Sequence, residues 1–168
     1  MDNKIRNYSF INGMFLGLIL ILIITSHYLY SSESILPLFN SCFYSSLIVL
    51  FLYSISALRY VQLSMIEYDF SFKLCFSIVF LILATALFFM SLYYYVLYNF
   101  IDKNLLNQYV TYQYDICLRS PDCDMSFELY FQFYQNKHFS FYGQIQQWIF
   151  SLIPCTLYSA IISLFMKK

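Results

Sequence analysis

Residues 17–24 read Gly-Leu-Ile-Leu-Ile-Leu-Ile-Ile, and this stretch decides the fold. It lies within a longer segment, Asn7 to Ser32, that contains no Asp, Glu, Lys or Arg. A helix rises about 1.5 Å per residue, so roughly 20 apolar residues cross a hydrocarbon core of about 30 Å. Because the segment has no polar stripe that would mark a surface helix of a soluble protein, it predicts a transmembrane helix.

Three further segments are equally free of charged residues: 34–58, 74–101 and 138–166. Charged residues make up 11% of the chain and the mean hydropathy is +0.63. Soluble domains carry about 25% charged residues, so lipid is the expected solvent. We predict an all-α integral membrane bundle of four transmembrane helices, formed by residues 1–168 as a single membrane domain. The predicted spans are about 10–30, 35–58, 74–101 and 141–166, with a polar loop at 102–140.

The start of the chain carries Lys4 and Arg6, and a basic start is also typical of a secretory signal peptide. The apolar run is longer than the roughly 7–15 residues of a signal peptide core, and residues 25–28, Thr-Ser-His-Tyr, make a poor cleavage site. We therefore expect the first span to be retained.

The connectors predict how the spans are joined. Ser34 is suited to cap the second helix and Pro37 to occupy its first turn, which predicts a tight hairpin between the first two spans. Residues 59–73 fit either an ordinary connector or a short amphipathic helix at the membrane surface. In the second interpretation the lipid side holds Tyr60, Leu63, Met65 and Ile66, and the water side holds Gln62, Glu67 and Asp69.

The distribution of basic residues predicts the orientation. One side of a four-span bundle holds six: Lys4, Arg6, Arg59, Lys73, Lys167 and Lys168. The other side holds three, Lys103, Arg119 and Lys137, all in the acidic loop 102–140. Since basic loops stay in the cytoplasm, both termini are expected there and the loop is expected outside.

Two cysteines, Cys117 and Cys123, lie in this loop on either side of a Ser-Pro-Asp sequence. A turn there would bring their Cα atoms within the roughly 4.4–6.8 Å that a disulfide needs, in a compartment that permits oxidation. Free thiols, and metal ligation with Asp122, Asp124 or His138, remain open alternatives, although no zinc-type spacing is complete.

Small residues recur on two spans. Gly13 and Gly17 lie one turn apart, a spacing that permits close approach of helices. On the last span small side chains recur every four residues, at Ser151, Cys155, Ser159 and Ser163. We expect both ridges to serve helix packing, and we hypothesise that they meet each other within one bundle or between protomers.

The sequence offers little that would carry chemistry. No ionisable Asp, Glu, Lys or Arg lies within a span, which argues against a proton-coupled carrier or a channel with a charged filter. Asn12 and His27 lie near the ends of the first span, where the interface hydrates them. Motifs of metalloproteases, serine hydrolases and phosphate-binding loops are missing. We expect no catalytic or metal site, no cofactor, no enzymatic activity and no nucleic-acid partner.

Several short features together resemble an uncharacterised family of small four-helix membrane proteins of Bacteroidota, catalogued as domain of unknown function 4199. They are Gly13-x-x-x-Gly17 in the first span, Arg59-Tyr60 closing the second, Phe70-Ser71-Phe72 before the third, and the long loop before the last. The resemblance covers nearly the whole chain, although Ala57-Leu58 stands where a glycine often precedes the Arg-Tyr pair. It implies a multi-pass protein of a bacterial inner membrane and no established activity.

Two functional classes follow. The first is a structural or regulatory protein that acts through helix packing and its outward loop, on itself or on an unknown membrane protein partner within the lipid bilayer. The second is a small transport or lipid-handling component, in which the aromatic loop contacts a lipid or an apolar solute. Polar residues facing a cavity would favour the second, and within the spans only serines, Thr85 and Thr156 are candidates.

Overall fold

The computed structural model describes residues 2–30, 35–64, 68–119, 123 and 125–167, with the backbone alone described at 30 and 35–44. These residues form six α-helices and no strand. The helices are α1 (Asn3–Tyr30), α2 (Ile35–Ser64), α3 (Phe72–Val96), α4 (Lys103–Cys117), α5 (Phe127–Phe133) and α6 (Phe141–Met166). A π-helical turn, Leu97–Ile101, extends α3, and a second one, Tyr134–His138, extends α5. Four helices, α1, α2, α3 and α6, are long and apolar enough to cross a membrane, as predicted.

Helix α3 is the centre of the bundle. It packs most extensively against α1 on one side and α6 on the other, while α2 packs mainly against α1. In the most apolar stretch of α3, half of the residues are buried inside the protein. The corresponding shares are 33% for α1, 28% for α2 and 22% for α6. The apolar residues that the protein leaves exposed on α1, α2 and α6 are those a bilayer would cover.

The spans run alternately up and down, so the two chain ends meet at one end of the bundle. There the Gln62 side chain of α2 donates a hydrogen bond to the Met166 carbonyl oxygen of α6, with 2.6 Å between nitrogen and oxygen. Asp2 accepts a hydrogen bond from the Tyr68 hydroxyl, and this bond, with the backbone N–H of Lys4, holds the pKa of the Asp2 carboxyl below its ordinary value. The polar loop lies at the opposite end.

The connector at 59–73 differs from the predicted surface helix. Residues 59–64 continue α2, and Gln62, which we placed on the water side, is buried against α6. Because a buried amide requires a hydrogen-bond partner, it bonds the free carbonyl at the end of α6. Tyr60 and Leu63 are exposed, on the side we expected to face lipid, and Asp69 is exposed too. Positions 65–67 and the proposed capping residue Ser34 lie outside the described residues.

The glycine face of α1 packs on α3. A methyl group added at Gly13 would lie 2.6 Å from the Thr85 Cβ, and one at Gly17 would lie 3.0 Å from the Phe89 Cβ. The hypothesis that these glycines meet the small-residue ridge of α6 within one bundle is therefore wrong, because α3 stands between α1 and α6. On α6, Cys155, Ser159 and Ser163 are buried and Ser151 is half-buried.

Candidate functional site

The loop 102–140 folds into a helical lobe, which we call the cap. Asp102 begins it by accepting hydrogen bonds from the backbone N–H groups of Asn104 and Leu105, at 2.9 and 3.3 Å. These bonds satisfy two of the free donors at the start of α4. The same carboxylate accepts a 2.7 Å hydrogen bond from the Tyr28 hydroxyl of α1. One side chain thus starts α4 and fastens it to the end of α1.

The cap packs on the bundle through a second cluster of buried hydrophobic residues, whose members differ from those of the core between the spans. Its fully buried members come from α1, the end of α3, α4 and the entry to α6, namely Ile24, Leu97, Tyr98, Leu105, Leu106, Val110 and Phe139. Rings meet at its centre: the Tyr98 and Phe139 centroids are 4.3 Å apart, and those of Tyr109 and Phe139 are 5.3 Å apart. Since aromatic burial and ring contacts both stabilise, the cap is packed onto the bundle.

The outer part of the cap is formed by α4 and α5, and a disulfide joins the end of α4 to the connector that leads to α5. Cys117 and Cys123 are bonded to each other, with 5.5 Å between their Cα atoms. Beyond the bridge, the Tyr114 hydroxyl donates to the Met125 carbonyl oxygen at 3.2 Å, and the Tyr130 hydroxyl donates to that of Gln113 at 3.3 Å. These contacts hold α5 against α4. Among the described residues, no three His, Cys, Asp or Glu side chains are grouped as a metal site would require, and Asp122 and Asp124 lie outside those residues.

Gly143 sets the junction between the cap and α6. Ser140 caps α6 by accepting a 3.1 Å hydrogen bond from the Gly143 N–H. A methyl group at Gly143 would lie 1.7 Å from the Lys137 carbonyl oxygen, which is an impossible contact with backbone. Asn99 closes the junction by donating to the Phe139 carbonyl oxygen at 2.8 Å. The missing side chain of this glycine is therefore what lets the end of the cap lie directly on α6.

A cavity of about 240 Å³ opens at this junction, and we take it as the candidate site. Its aromatic wall is formed by Tyr94, Tyr98, Tyr109 and Phe139. Its polar wall is formed by His138, Gln144 and Gln147. Gln144 is buried and donates to the His138 carbonyl oxygen at 2.9 Å, and the Gln147 amide lies 2.8 Å from the His138 Nδ1. Rings on one side and amides on the other suit a small polar ligand.

A second cavity, of about 270 Å³, lies on the other side of His138 and Gln147, which line both. Its remaining lining comes from Phe133, Lys137, Gly143, Gln146 and Phe150. The Lys137 ammonium lies 5.1 Å from the centre of the Phe133 ring, a cation–π distance. This cavity therefore joins a basic group to the exposed apolar surface of α6.

The tyrosines near the site are held in their neutral form. Burial, followed by the neighbouring Tyr130 hydroxyl, raises the pKa of Tyr134 well above its ordinary value. Burial also raises the pKa of Tyr109, which lines the first cavity. Burial therefore disfavours the phenolate form, which an unperturbed tyrosine reaches only near a pH of about 10.

Asn12 and His27, the other polar residues considered on the first span, bond to α2. The Tyr53 hydroxyl donates to the Asn12 side-chain oxygen at 3.0 Å, and the Ser45 hydroxyl lies 3.5 Å from the His27 ring. Thr85 is buried against Gly13, and Thr156 is exposed on α6. None of these lines the cavities at the cap.

Sequence reasoning considered His138 as a possible metal ligand but missed the glutamines that line the cavities. Gln144, Gln146 and Gln147 stand together at the start of a largely apolar span, and Gln144 and Gln147, three positions apart, share one face of α6. This group of amides is the signal that was present in the sequence. The aromatic residues gave no comparable signal, because phenylalanine and tyrosine occur throughout the chain.

Four apolar helices with a folded cap define a multi-pass helical membrane protein. The family profile described as "Protein of unknown function (DUF4199)" matches residues 10–168, so the chain belongs to this family, as the resemblance of its motifs suggested. No match was found among curated proteins or among solved structures.

Proposed function

We propose that this is a non-catalytic membrane protein with a structural or regulatory role, which acts through helix packing and through the cap as a binding lobe. The observation that carries the proposal is the second hydrophobic core, because a mere connector between two spans needs none. A lobe fastened by that core, by Asp102 and by a disulfide presents a fixed surface. Preorganisation of this kind lowers the cost of binding.

The outer surface of the cap supports an interaction role. Apolar side chains are exposed on it, among them Leu118, Met125 and Leu129, with 57%, 53% and 59% of their surface accessible. Exposed apolar residues gathered on one lobe are typical of a surface that contacts a partner or a membrane. Aromatic, amide and imidazole side chains line the first cavity, and this mixture of rings and hydrogen-bonding groups supports a binding role.

The proposal places the cap outside the cytoplasm and both termini inside, in the inner membrane of a bacterium of the Bacteroidota. Its support is the excess of Lys and Arg at the end of the bundle that holds the termini, together with a disulfide, which persists in oxidising compartments. Alkaline phosphatase fused after Lys168 should be inactive, and the same enzyme inserted in the cap should be active. The reverse pattern would overturn this orientation.

Site-specific photocrosslinking tests the interaction role. A photoreactive residue at Leu129 on α5 should yield a discrete crosslinked band in native membranes, either to a second copy of this chain or to another membrane protein. The matched control is Leu157, which is 66% exposed on the span α6 and should react with lipid only. Identical protein bands from both positions, or no protein band from Leu129, would contradict the proposal.

A second candidate function, a lipid-handling or small transport component, is favoured by the second cavity. That cavity includes Lys137 from the cap and Phe150 from the exposed surface of α6. A site that begins in a polar lobe and ends on a lipid-facing helix suits an amphiphile.

A further inference from the structure

We propose that the two cavities flanking His138 form one binding site for an anionic phospholipid with a hydroxylated headgroup, of the phosphatidylglycerol type. This inference rests on the second candidate function and requires no protein partner. Its basis is the placement of three kinds of surface in order: an aromatic and amide chamber, a single ammonium group, and an exposed apolar helix face.

The first cavity fits a neutral headgroup that carries hydroxyls. Gln144 and Gln147 bring amide groups to it, and each amide has a carbonyl oxygen that can accept a hydrogen bond. The Tyr109 and Phe139 rings give the chamber its aromatic face. At about 240 Å³ the chamber is smaller than the roughly 300–1,000 Å³ pockets that enclose whole drug-sized ligands. It is therefore suited to a headgroup and not to an entire lipid.

Lys137 supplies the charge that selects an anion. Of the described residues that line the two cavities, Lys137 alone carries a fixed charge, and no described carboxylate forms a salt bridge with it. Lys137 is exposed, so its ammonium group can reach a phosphate at the membrane surface and form a charge-assisted hydrogen bond with it. Another cavity of the cap lies between α4 and α5 and is lined by Asn107, Glu128 and Phe131 among others. The Glu128 carboxylate there would repel an anionic ligand.

The apolar end of the site continues onto α6. Phe150 lines the second cavity and is 60% exposed, at a position where α6 is apolar enough to span the bilayer. Lys137, Gly143 and Phe150 line the same cavity, so the ammonium group and the apolar helix face border one continuous space. An acyl chain can therefore lie along α6 while its phosphate stays at Lys137.

Native mass spectrometry of the full chain tests this assignment. The detergent-purified protein is titrated with equimolar phosphatidylglycerol and phosphatidylcholine that carry the same acyl chains. We expect one phosphatidylglycerol to be retained in preference to phosphatidylcholine. Lys137→Gln should reduce this preference about tenfold, the usual scale for loss of one charge-assisted hydrogen bond. Lys103→Gln, which removes a charge from the same lobe but away from the cavities, should leave it unchanged.

Two further variants separate the parts of the site. Lys137→Arg should keep the preference for the anionic lipid. Gln147→Leu should lower the preference for phosphatidylglycerol over phosphatidic acid, which has no headgroup hydroxyls, while it keeps the preference for both over phosphatidylcholine. Circular dichroism and gel filtration establish that each variant is folded.

Three results would overturn the inference. One is equal lipid selectivity in Lys137→Gln and the parent protein, and another is equal loss in Lys137→Gln and Lys103→Gln. The third is displacement of the lipid by soluble glycerol phosphate at matching concentration, which would show a phosphate site without the acyl contact. Photocrosslinking from Leu129 is a separate readout, so failure of lipid binding and failure of the partner role can be told apart.

Discussion

The core of the spans and the core of the cap use different chemistry. Between α1 and α3 the contacts depend on small residues such as Gly13 and Ala86, with aliphatic side chains around them. In the cap the contacts are mainly between rings. Tyrosine hydroxyls bond across elements in both regions, from Tyr114 and Tyr130 in the cap and from Tyr53 in the spans. The cap also has a disulfide, whereas the described cysteines of the spans, Cys75 and Cys155, are free.

This difference reflects the two solvents. Lipid is as apolar as a leucine side chain, so burial gives span helices no hydrophobic gain and close contact must hold them together. Water at the cap makes aromatic burial favourable at roughly 25 cal/mol per Å². A substitution that adds side-chain volume should therefore destabilise the spans by keeping two helices apart. In the cap it should act mainly at the junction where the cap backbone contacts α6.

The largest expected effect comes from Gly143→Ala at that junction. The new methyl group would lie 1.7 Å from the Lys137 carbonyl oxygen, so the cap must move away from α6. Overpacking costs about 1–3 kcal/mol and occasionally more, and because contact with backbone leaves little room for relief, we expect a cost of about 3 kcal/mol or more. Hydrogen exchange in α4 should become faster while α3 keeps its protection. The control is Tyr142→Ala, whose side chain is 77% exposed; equal protection of α4 in both variants would disprove the role of the glycine.

A slightly smaller effect is expected from Gly13→Ala, which tests the other core. Its methyl group would lie 2.6 Å from the Thr85 Cβ and 2.8 Å from the Ile82 carbonyl oxygen. The helices α1 and α3 must separate, at a cost of about 1–3 kcal/mol, measured as a lower thermal midpoint in detergent. Phe15→Ala is the control, since Phe15 is 58% exposed toward lipid. A midpoint as high as that of the control would mean that close approach is not what holds α1.

These two glycines also mark how far the sequence predicts the structure. Charge-free segments predict the four spans, because the membrane requires each helix to be apolar along its length. Because each span is apolar on all sides, the sequence does not indicate which face of a helix packs on which neighbour. In α1 there is no polar stripe, so the contact of Gly13 with α3 rather than α6 could not be derived. Gly143 was visible as one of three glycines, but the backbone that approaches it comes from a fold of the cap that depends on distant rings.

The buried amide of Gln62 gives a second example. Alternation of polar and apolar residues near it fitted either a surface helix, with Gln62 on the water side, or an ordinary connector, and the structure instead bonds its side chain to the end of α6. A local pattern cannot show that a neighbouring helix ends nearby with free carbonyl groups. The cavity residues were missed for the same reason, since Gln144 acquires its role from the His138 backbone beside it.

Removal of the disulfide should have a moderate effect that is confined to the cap. The bridge closes a short loop, with a sequence separation of six, for which chain entropy predicts about 2 kcal/mol. Replacement of Cys117 and Cys123 by serine should speed hydrogen exchange in α4 and leave α1 and α3 unchanged. In intact cells, a membrane-impermeant maleimide should label the cap of the parent protein only after reduction. Labelling without reductant would show that the thiols are free.

The smallest expected effect is a loss of cap stability at alkaline pH. Burial and the Tyr130 hydroxyl raise the pKa of Tyr134 above its unfolded value of about 10. A group whose folded pKa is raised contributes its full stability below the unfolded pKa and loses it as pH rises toward the folded pKa. Ionisation in the unfolded state should therefore lower the free energy of unfolding as pH rises above about 10, by less than about 1 kcal/mol because the ring is partly exposed. The thermal midpoint should fall with it.

Fluorescence of Trp148, the one tryptophan of the chain, can follow this midpoint, because its ring packs on Phe88 and its indole donates to the Ala84 carbonyl oxygen at 2.9 Å. Tyr134→Phe removes the titrating group and should make the alkaline decrease smaller. Tyr142→Phe, at an exposed position, should leave the decrease as it is in the parent protein. If the midpoints of both variants fall equally with pH, other tyrosines cause the alkaline sensitivity. The aromatic core of the cap would then be more accessible to water than its described contacts indicate.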